Sequence, residues 1–264
     1  MNAQSYLFVP GDRPERFDKA LASGAHVVIL DLEDAVLPER KSQAREAMAE
    51  WLRQTSAQVC VRINPPQTAW YEADCSLLAL PAVSCVMLPK AETVGDVVAL
   101  AQRLRETQVL LPLIETVDGV AAAQALAEVD GVQRLAFGTV DFLADSGLQS
   151  EAALDPVRVM LALASRRARR MAPVDGVSLA VDDVAQVQAD ARHAREWGFG
   201  AKLCIHPRQV DAVHTAFAPT AAELAWAQRV VDAMAQGVLG AVAVDGKLVD
   251  RPVLLRAQAI LGQR

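Results

Sequence analysis

Short apolar runs recur at steady intervals along the chain: Tyr6–Val9, His26–Asp31, Gln58–Ile63, Ser84–Leu88, Gln108–Ile114, Arg134–Gly138, Ala172–Val174 and Ala201–Ile205. They are rich in Val, Ile and Leu and alternate little, the pattern of parallel strands buried on both faces. Between most of them lie segments of helical periodicity, Arg40–Arg53, Val94–Glu106, Val117–Glu128, Pro156–Arg170 and Val181–Trp197. Strand alternating with helix predicts right-handed βαβ units. Eight such strands in 264 residues fit an α/β fold of the closed (β/α)8 TIM-barrel kind, whose usual size is roughly 250 residues. The alternative is an open doubly wound sheet. Its nucleotide-binding versions carry a GxGxxG or GxxxxGK[ST] loop after a strand, and no strand here is followed by one.

Beyond the eighth strand the repeat stops, so the chain is read as a barrel over residues 1–217 and a C-terminal helix-hairpin-helix extension over 218–264. Thr220 followed by Glu223 is a capping box that opens a helix to about Ala235. Gly240–Asp250 then alternates around Asp245-Gly246, a two-residue hairpin turn, and Pro252 starts a last helix ending near Leu261. The apolar residues Val249, Val253, Leu254, Leu255 and Ile260 require burial, which predicts that the extension packs on its own barrel or on a neighbouring subunit.

Composition narrows the picture. With 52% apolar residues but only four Trp, two Tyr and six Phe, the core is built from Ala, Val and Leu. A formal charge of -6 argues against nucleic-acid or anionic-membrane partners, and the run Arg166, Arg167, Arg169 and Arg170 reads as a solvated helix face. Cys60, Cys75, Cys85 and Cys204 show neither CxxC nor paired spacing, so reduced thiols are expected. No stretch has the length of a signal peptide's apolar core or a membrane span, and a cytoplasmic location is expected.

In a barrel the reactive groups rise from the C-terminal ends of strands. Here those ends carry Asp31, Glu33 and Asp34 on strand two, Arg62 and Asn64 on strand three, Lys90 on strand four, Glu115 on strand five and Asp141 on strand six. Glu115 and Asp141 are 26 residues apart, about one βα unit, so adjacent strands bring both carboxylates to one rim. Two such acids make a hard oxygen site for Mg²⁺ or Mn²⁺, or they cap the helices that follow. Arg62 either grips a carboxylate bidentately or forms an ion pair with the strand-two acids. Lys90 is read as pairing with Glu92 or the strand-two acids rather than as a Schiff-base amine. His206, just after strand eight, is read as fixing backbone or walling a ligand rather than as a base, and Ile205, which ends the strand, as a substrate contact.

These strand ends match a known pattern in order: YLFVPGDRPERFDKA (6–20), VVILDLEDAV (27–36), VRIN (61–64), MLPKAE (87–92), LPLIET (111–116), FGTVDF (137–142), GAKLCIHPRQV (200–210) and DGKLVDRPVLLRAQAIL (245–261). The sequence resembles the citrate lyase β-subunit-like branch of the HpcH/HpaI aldolase/citrate lyase family. The resemblance implies a barrel holding Mg²⁺ on Glu115 and Asp141, with Arg62 as the arginine that binds carboxylate and developing oxyanion and Asp34 behind a metal-bound water. It implies that the C-terminal segment crosses to a neighbouring subunit of a homotrimer or homohexamer, with Asp250 working in the neighbour's site. Phe8, Arg13, Arg16 and Lys19 correspond to first-loop residues near an acyl-CoA, although some relatives carry lysine where this chain has Glu15.

The activity so implied is Mg²⁺-dependent carbon-carbon cleavage of a citryl-, malyl- or citramalyl-thioester, or a related 2-hydroxy acid, into an acyl product and a 2-oxo acid. An acyl-CoA thioesterase, a CoA-independent class II aldolase acting on pyruvate or oxaloacetate, and a non-catalytic ligand-binding subunit are the alternatives.

Overall fold

The computed structural model describes residues 3–236 and 242–262. The chain divides after Phe217 into two compact units. In the first, eight strands alternate with helices: β1 (Ser5–Pro10), α1 (Phe17–Leu21), β2 (Val27–Asp31), α2 (Lys41–Gln54), β3 (Val59–Arg62), α3 (Tyr71–Cys75), β4 (Val83–Leu88), α4 (Val94–Ala101), β5 (Val109–Ile114), α5 (Val117–Glu128), β6 (Ala136–Phe137), α6 (Thr139–Ser146), α7 (Asp155–Arg167), β7 (Val174–Asp175), α8 (Val184–Glu196), β8 (Ala201–Cys204) and α9 (Val210–Phe217). All strands are parallel, and β8 pairs back onto β1 to close the barrel in the order β1 to β8.

The weak alternation of the apolar runs has a direct cause. Tyr6, Ile29, Cys60, Met87, Leu111 and Leu203 point inward and fill the barrel. Their neighbours Leu7, Leu30, Val61, Val86, Leu110 and Cys204 point outward and pack under the helices. Both faces of each strand are therefore dry.

Several boundaries differ from expectation. β6 and β7 have two residues each, and pairing before them continues as an isolated parallel bridge between Leu110 and Val132 and as hydrogen bonds such as Met171 N–H to the Gln133 carbonyl. α4 stops at Ala101 instead of Glu106. There the chain turns so that Arg105 can donate to the Leu80 and Val83 carbonyls and Gln108 to those of Leu78 and Val83. α7 ends at Arg167 because Arg169 takes a left-handed φ of 56°. The arginine run is not a uniformly solvated face, since Arg170 turns back to cap α5 through the Ala127, Glu128 and Val129 carbonyls.

The second unit begins at Ala218 and contains α10 (Ala221–Gln236), β9 (Val242–Val244), β10 (Lys247–Val249) and α11 (Arg251–Leu261). Both arms of the capping box are present, with Thr220 N–H donating to Glu223 Oε2 at 2.7 Å and Glu223 N–H to Thr220 Oγ1 at 3.1 Å. β9 and β10 are antiparallel, and the turn places Asp245 at φ 51° and Gly246 at φ 73°, as a tight type I′ hairpin requires. The expected hairpin start at Gly240 lies outside the described residues. The apolar residues of this unit largely bury one another: Ala227, Val230, Val244, Val249, Ala257 and Ile260 form a core flanked by Val253 and Leu254. Among the described residues, Leu248 and Leu255 stay open, at 73% and 56% exposure. Among the described residues no helix is long and apolar enough to cross a membrane.

Candidate active site

The C-terminal ends of the strands gather a dense set of charges. Asp31, the last residue of β2, is buried, and its carboxylate accepts two hydrogen bonds from Arg62 of β3, from Nε at 2.7 Å and from the second terminal nitrogen at 2.6 Å. The Glu33 and Ala35 amides also donate to Asp31. The other terminal nitrogen of Arg62 lies 3.1 Å from Glu33 Oε2, and the guanidinium stacks on the Phe8 ring at 4.6 Å. Burial works against the arginine's charge, but Asp31 and Glu33 outweigh it and hold the arginine pKa above its ordinary range. The bidentate grip that the sequence offered to a ligand carboxylate is thus made on Asp31. This is the ion-pair alternative, and it leaves two of the five guanidinium N–H groups for other acceptors.

A second network fixes the loop after β2. Lys41 Nζ donates to the Leu32 and Glu33 carbonyls and to Asn64 Oδ1, while Asn64 donates from its amide and its side chain to Asp74 Oδ2. Sequence reading missed Lys41 and Asp74, whose partners lie 23 and 10 residues from them along the chain. It also missed Asp175 at the end of β7. That acid faces away from the strand-end cavity, into a buried cluster with Arg158 at 2.9 Å and Lys202 at 3.1 Å.

Glu115 follows β5 directly and is 1% exposed. Its Oε1 accepts the Lys90 amide N–H at 2.8 Å, whereas Oε2 is buried and has no hydrogen-bond partner. Burial, and then the nearby charge of Glu33, push this carboxyl up to about 8, against the pull of the Lys90 N–H and Arg62. Lys90 sits at a left-handed φ of 47°, a costly conformation for a residue with a Cβ. That conformation aims its amide at Glu115 while its ammonium reaches Glu33 Oε1 at 2.7 Å, the strand-two pairing the sequence suggested. Gly138 is indispensable beside it, because a Cβ there would lie 2.5 Å from the Glu115 Cβ and 2.6 Å from Oε2. Asp141 stands in the first turn of α6, half-buried, and its charge is felt by Glu115.

Phe8, Asp34, Arg62, Glu115, Asp141 and Ile205 line one cavity of about 510 Å³ together with Asp31, Thr139, Leu113, Val177 and Leu203. Leu113, Val177 and Leu203 were missed as wall residues; for Leu113 and Leu203 the signal was the apolar end of strands five and eight, whereas Val177 follows β7. Other expected contacts are not in this cavity's lining. Arg13 and Arg16 are exposed beside Asp12 and Glu15, each at 3.9 Å, and Lys19 is exposed on α1. His206 is turned to the backbone: its Nδ1 accepts the Arg208 N–H at 3.2 Å, capping the short turn Pro207–Gln209, so it fixes backbone and does not line the cavity. Asp250 belongs to the second unit, where it precedes α11, is exposed, and makes no side-chain capping bond.

Glu115 and Asp141 offer carboxylate oxygens of the kind a divalent ion takes. Among the described residues no group of three or more His, Cys, Asp or Glu forms a ready-made cage. Two carboxylates are the usual protein share for Mg²⁺, which keeps several waters or substrate oxygens. An orphaned buried carboxylate oxygen is costly, and a cation at Glu115 Oε2 would satisfy it.

The profile of the HpcH/HpaI aldolase/citrate lyase family matches residues 4–207. A citrate lyase subunit beta-like protein of Mycobacterium tuberculosis is 39% identical over 264 residues, covering 97% of this chain and 93% of its own. A (3S)-malyl-CoA thioesterase of Cereibacter sphaeroides is 29% identical over 272 residues, covering 97% and 95%. The crystal structure of CitE from M. tuberculosis in complex with magnesium, acetoacetate and coenzyme A superposes with a TM-score of 0.88 at 38% identity, covering 99% of this chain and 97% of that one.

Proposed function

Because the chain belongs to the HpcH/HpaI aldolase/citrate lyase family, an enzyme family, we propose that it is a Mg²⁺-dependent carbon-carbon lyase. It splits a 3-hydroxyacyl thioester whose hydroxyl-bearing carbon also carries a carboxylate, breaking the bond between that carbon and the thioester's α carbon to give an acyl thioester and a 2-oxo acid. The observation that carries this reading is the unpartnered, buried Oε2 of Glu115 in the same cavity as Asp141. Glu115 and Asp141 would hold the ion, Mg²⁺ or Mn²⁺, and a related structure contains magnesium with acetoacetate and coenzyme A. When bound, the ion supplies Lewis-acid stabilisation of the charge that develops on substrate oxygens.

The chain's own residues do the rest. Asp31 and Glu33 lock the Arg62 guanidinium in one plane, so its two remaining N–H groups are preorganised for a substrate oxygen and cost no reorganisation during reaction. The Phe8 ring supports that plane from one face. Leu113, Val177 and Leu203 keep the reacting end dry, which strengthens each electrostatic contact there. Asp34, exposed at the cavity mouth, is placed to orient a water on the ion. Asp250 of a partner chain, in a homotrimer or homohexamer, would deliver the proton to the acyl carbon after the bond breaks. Arg13, Arg16 and Lys19 offer positive charge after β1 for the phosphates of a CoA ester.

The test is a panel of malyl-, citramalyl- and citryl-CoA with Mg²⁺ or with chelator, scoring 2-oxo acid and free CoA separately. Metal-dependent release of 2-oxo acid in step with acyl-CoA is expected. Release of free CoA without 2-oxo acid would make the chain a thioesterase, and chelator-insensitive turnover would remove the metal from the account.

A further inference from the structure

Lys41 is a cation in a place that does not favour one. It opens α2, where the positive end of the helix dipole works against it, and it is only 5% exposed. Burial pulls its pKa below the ordinary lysine range, against the nearby charges of Glu33, Asp31 and Asp74. What the ammonium gains is three short bonds, to the Leu32 and Glu33 carbonyls at 2.8 Å each and to Asn64 Oδ1 at 2.7 Å, with the Trp70 ring 4.9 Å away.

Both carbonyls have a second donor. Leu32 O also accepts from the Asn64 side-chain amide at 3.1 Å, and Glu33 O from the Val36 N–H at 3.1 Å. Lys41 is therefore not needed merely to satisfy them. It ties the loop after β2 to the loop after β3, where Asn64 is in turn held by the buried Asp74, and Asp74 by Arg45 of α2 at 2.8 Å.

The tied loop holds Arg62 from two sides. The Glu33 and Ala35 amides, at 2.9 and 3.3 Å, orient the Asp31 carboxylate that grips Nε and one terminal nitrogen, while the Glu33 side chain takes the other terminal nitrogen at 3.1 Å. A shift of residues 33–35 turns the guanidinium plane, and with it the two N–H groups left for a substrate oxygen. Lys41 itself does not line the strand-end cavity.

We propose, resting on the lyase reading above, that Lys41 is a positioning residue: from outside the cavity it fixes the loop after β2 and thereby the plane in which Arg62 meets the substrate. Misplacing such a group by about 1 Å costs up to about 100-fold in rate. The metal carboxylate Glu115 is held separately, by the backbone N–H of Lys90, so the effect falls on turnover and not on the ion.

The test is Lys41→Ala in the full-length chain, with Lys41→Met, which keeps the length of the stem beside Trp70, as the milder variant. Ala44, Met48 and Leu52 still anchor α2, so both proteins should melt cooperatively. Hydrogen exchange of the Arg62 Nε–H, followed by NMR and assigned by its loss in Arg62→Lys, should be at least about tenfold faster. Mn²⁺ affinity by calorimetry should be unchanged, and turnover of the thioester panel should fall by about 10–100-fold, mainly in kcat. Ethylammonium, admitted through the cavity of about 420 Å³ that Lys41 lines, should restore slow exchange and turnover to Lys41→Ala together. A folded variant whose Arg62 exchange is as slow as in the wild type would overturn the inference, and so would fast exchange with full turnover. Loss of the cooperative melt in both variants would make Lys41 a folding residue and overturn it too. Should the wild-type protein turn over no thioester while Arg62 exchange still responds to Lys41, the lyase reading fails and the positioning of Arg62 stands.

Discussion

Glu115→Gln should lower metal-dependent turnover by about 10²–10³-fold or more, with a parallel loss of Mn²⁺ affinity. The substitution is nearly isosteric and keeps a carbonyl oxygen for the Lys90 N–H, now 2.8 Å from Oε1, so the local fold is retained. What changes is the buried, unpartnered Oε2, which becomes an NH2 group that repels a cation. Asp141→Asn should behave alike, because its carboxylate has no hydrogen bond or ion pair among the described residues to lose. Calorimetric Mn²⁺ titration next to a circular dichroism melt separates loss of the ion from loss of the fold. A Glu115→Gln protein that binds Mn²⁺ normally would remove this carboxylate from the metal site.

The second large effect concerns Asp250. Asp at a helix start ordinarily accepts a backbone N–H within the first turn, but this side chain makes no such bond and is left exposed. Leu248 and Leu255, exposed at 73% and 56%, give the same unit apolar surface available for contact with another chain. Asp250→Asn and Glu115→Gln chains should each be nearly inactive. If the tail of one chain completes the barrel of the next, mixing them in equal amounts with subunit exchange should restore roughly a quarter of wild-type activity, the share of sites that draw both intact residues from different chains of a symmetric oligomer. A fully exchanged mixture that stays as inactive as its parents would confine Asp250 to its own chain or remove it from the chemistry.

The barrel was legible in the sequence because every strand is dry on both faces, so each appears as an apolar run whatever its neighbours are. Glu115 and Asp141 were legible for a related reason, as acids stationed just past such runs. What spacing does not carry is direction and choice of partner. Asp31 and Arg62 are 31 residues apart, and only the parallel register of β2 on β3 reveals that they face each other and satisfy one another. The left-handed turn at Lys90 is likewise invisible in a Pro-Lys pair, since its cost is met by contacts to Glu33 and Glu115 in other strand-end loops. His206 read as a rim group because the chain position is right, but its ring went to an amide two residues away. In the tail the apolar positions were read correctly, yet they close on each other across α10, the hairpin and α11, so their number alone did not demand a partner subunit.

Whether Glu115 and Asp141 form the metal site is settled by the anomalous difference map of a crystal soaked in Mn²⁺. One strong peak is expected in the strand-end cavity, at about 2.0–2.2 Å from Glu115 Oε2 and from one carboxylate oxygen of Asp141, with waters filling the remaining positions. A peak on Asp31, Glu33 or Asp34 instead, with Glu115 Oε2 still unliganded, would contradict it.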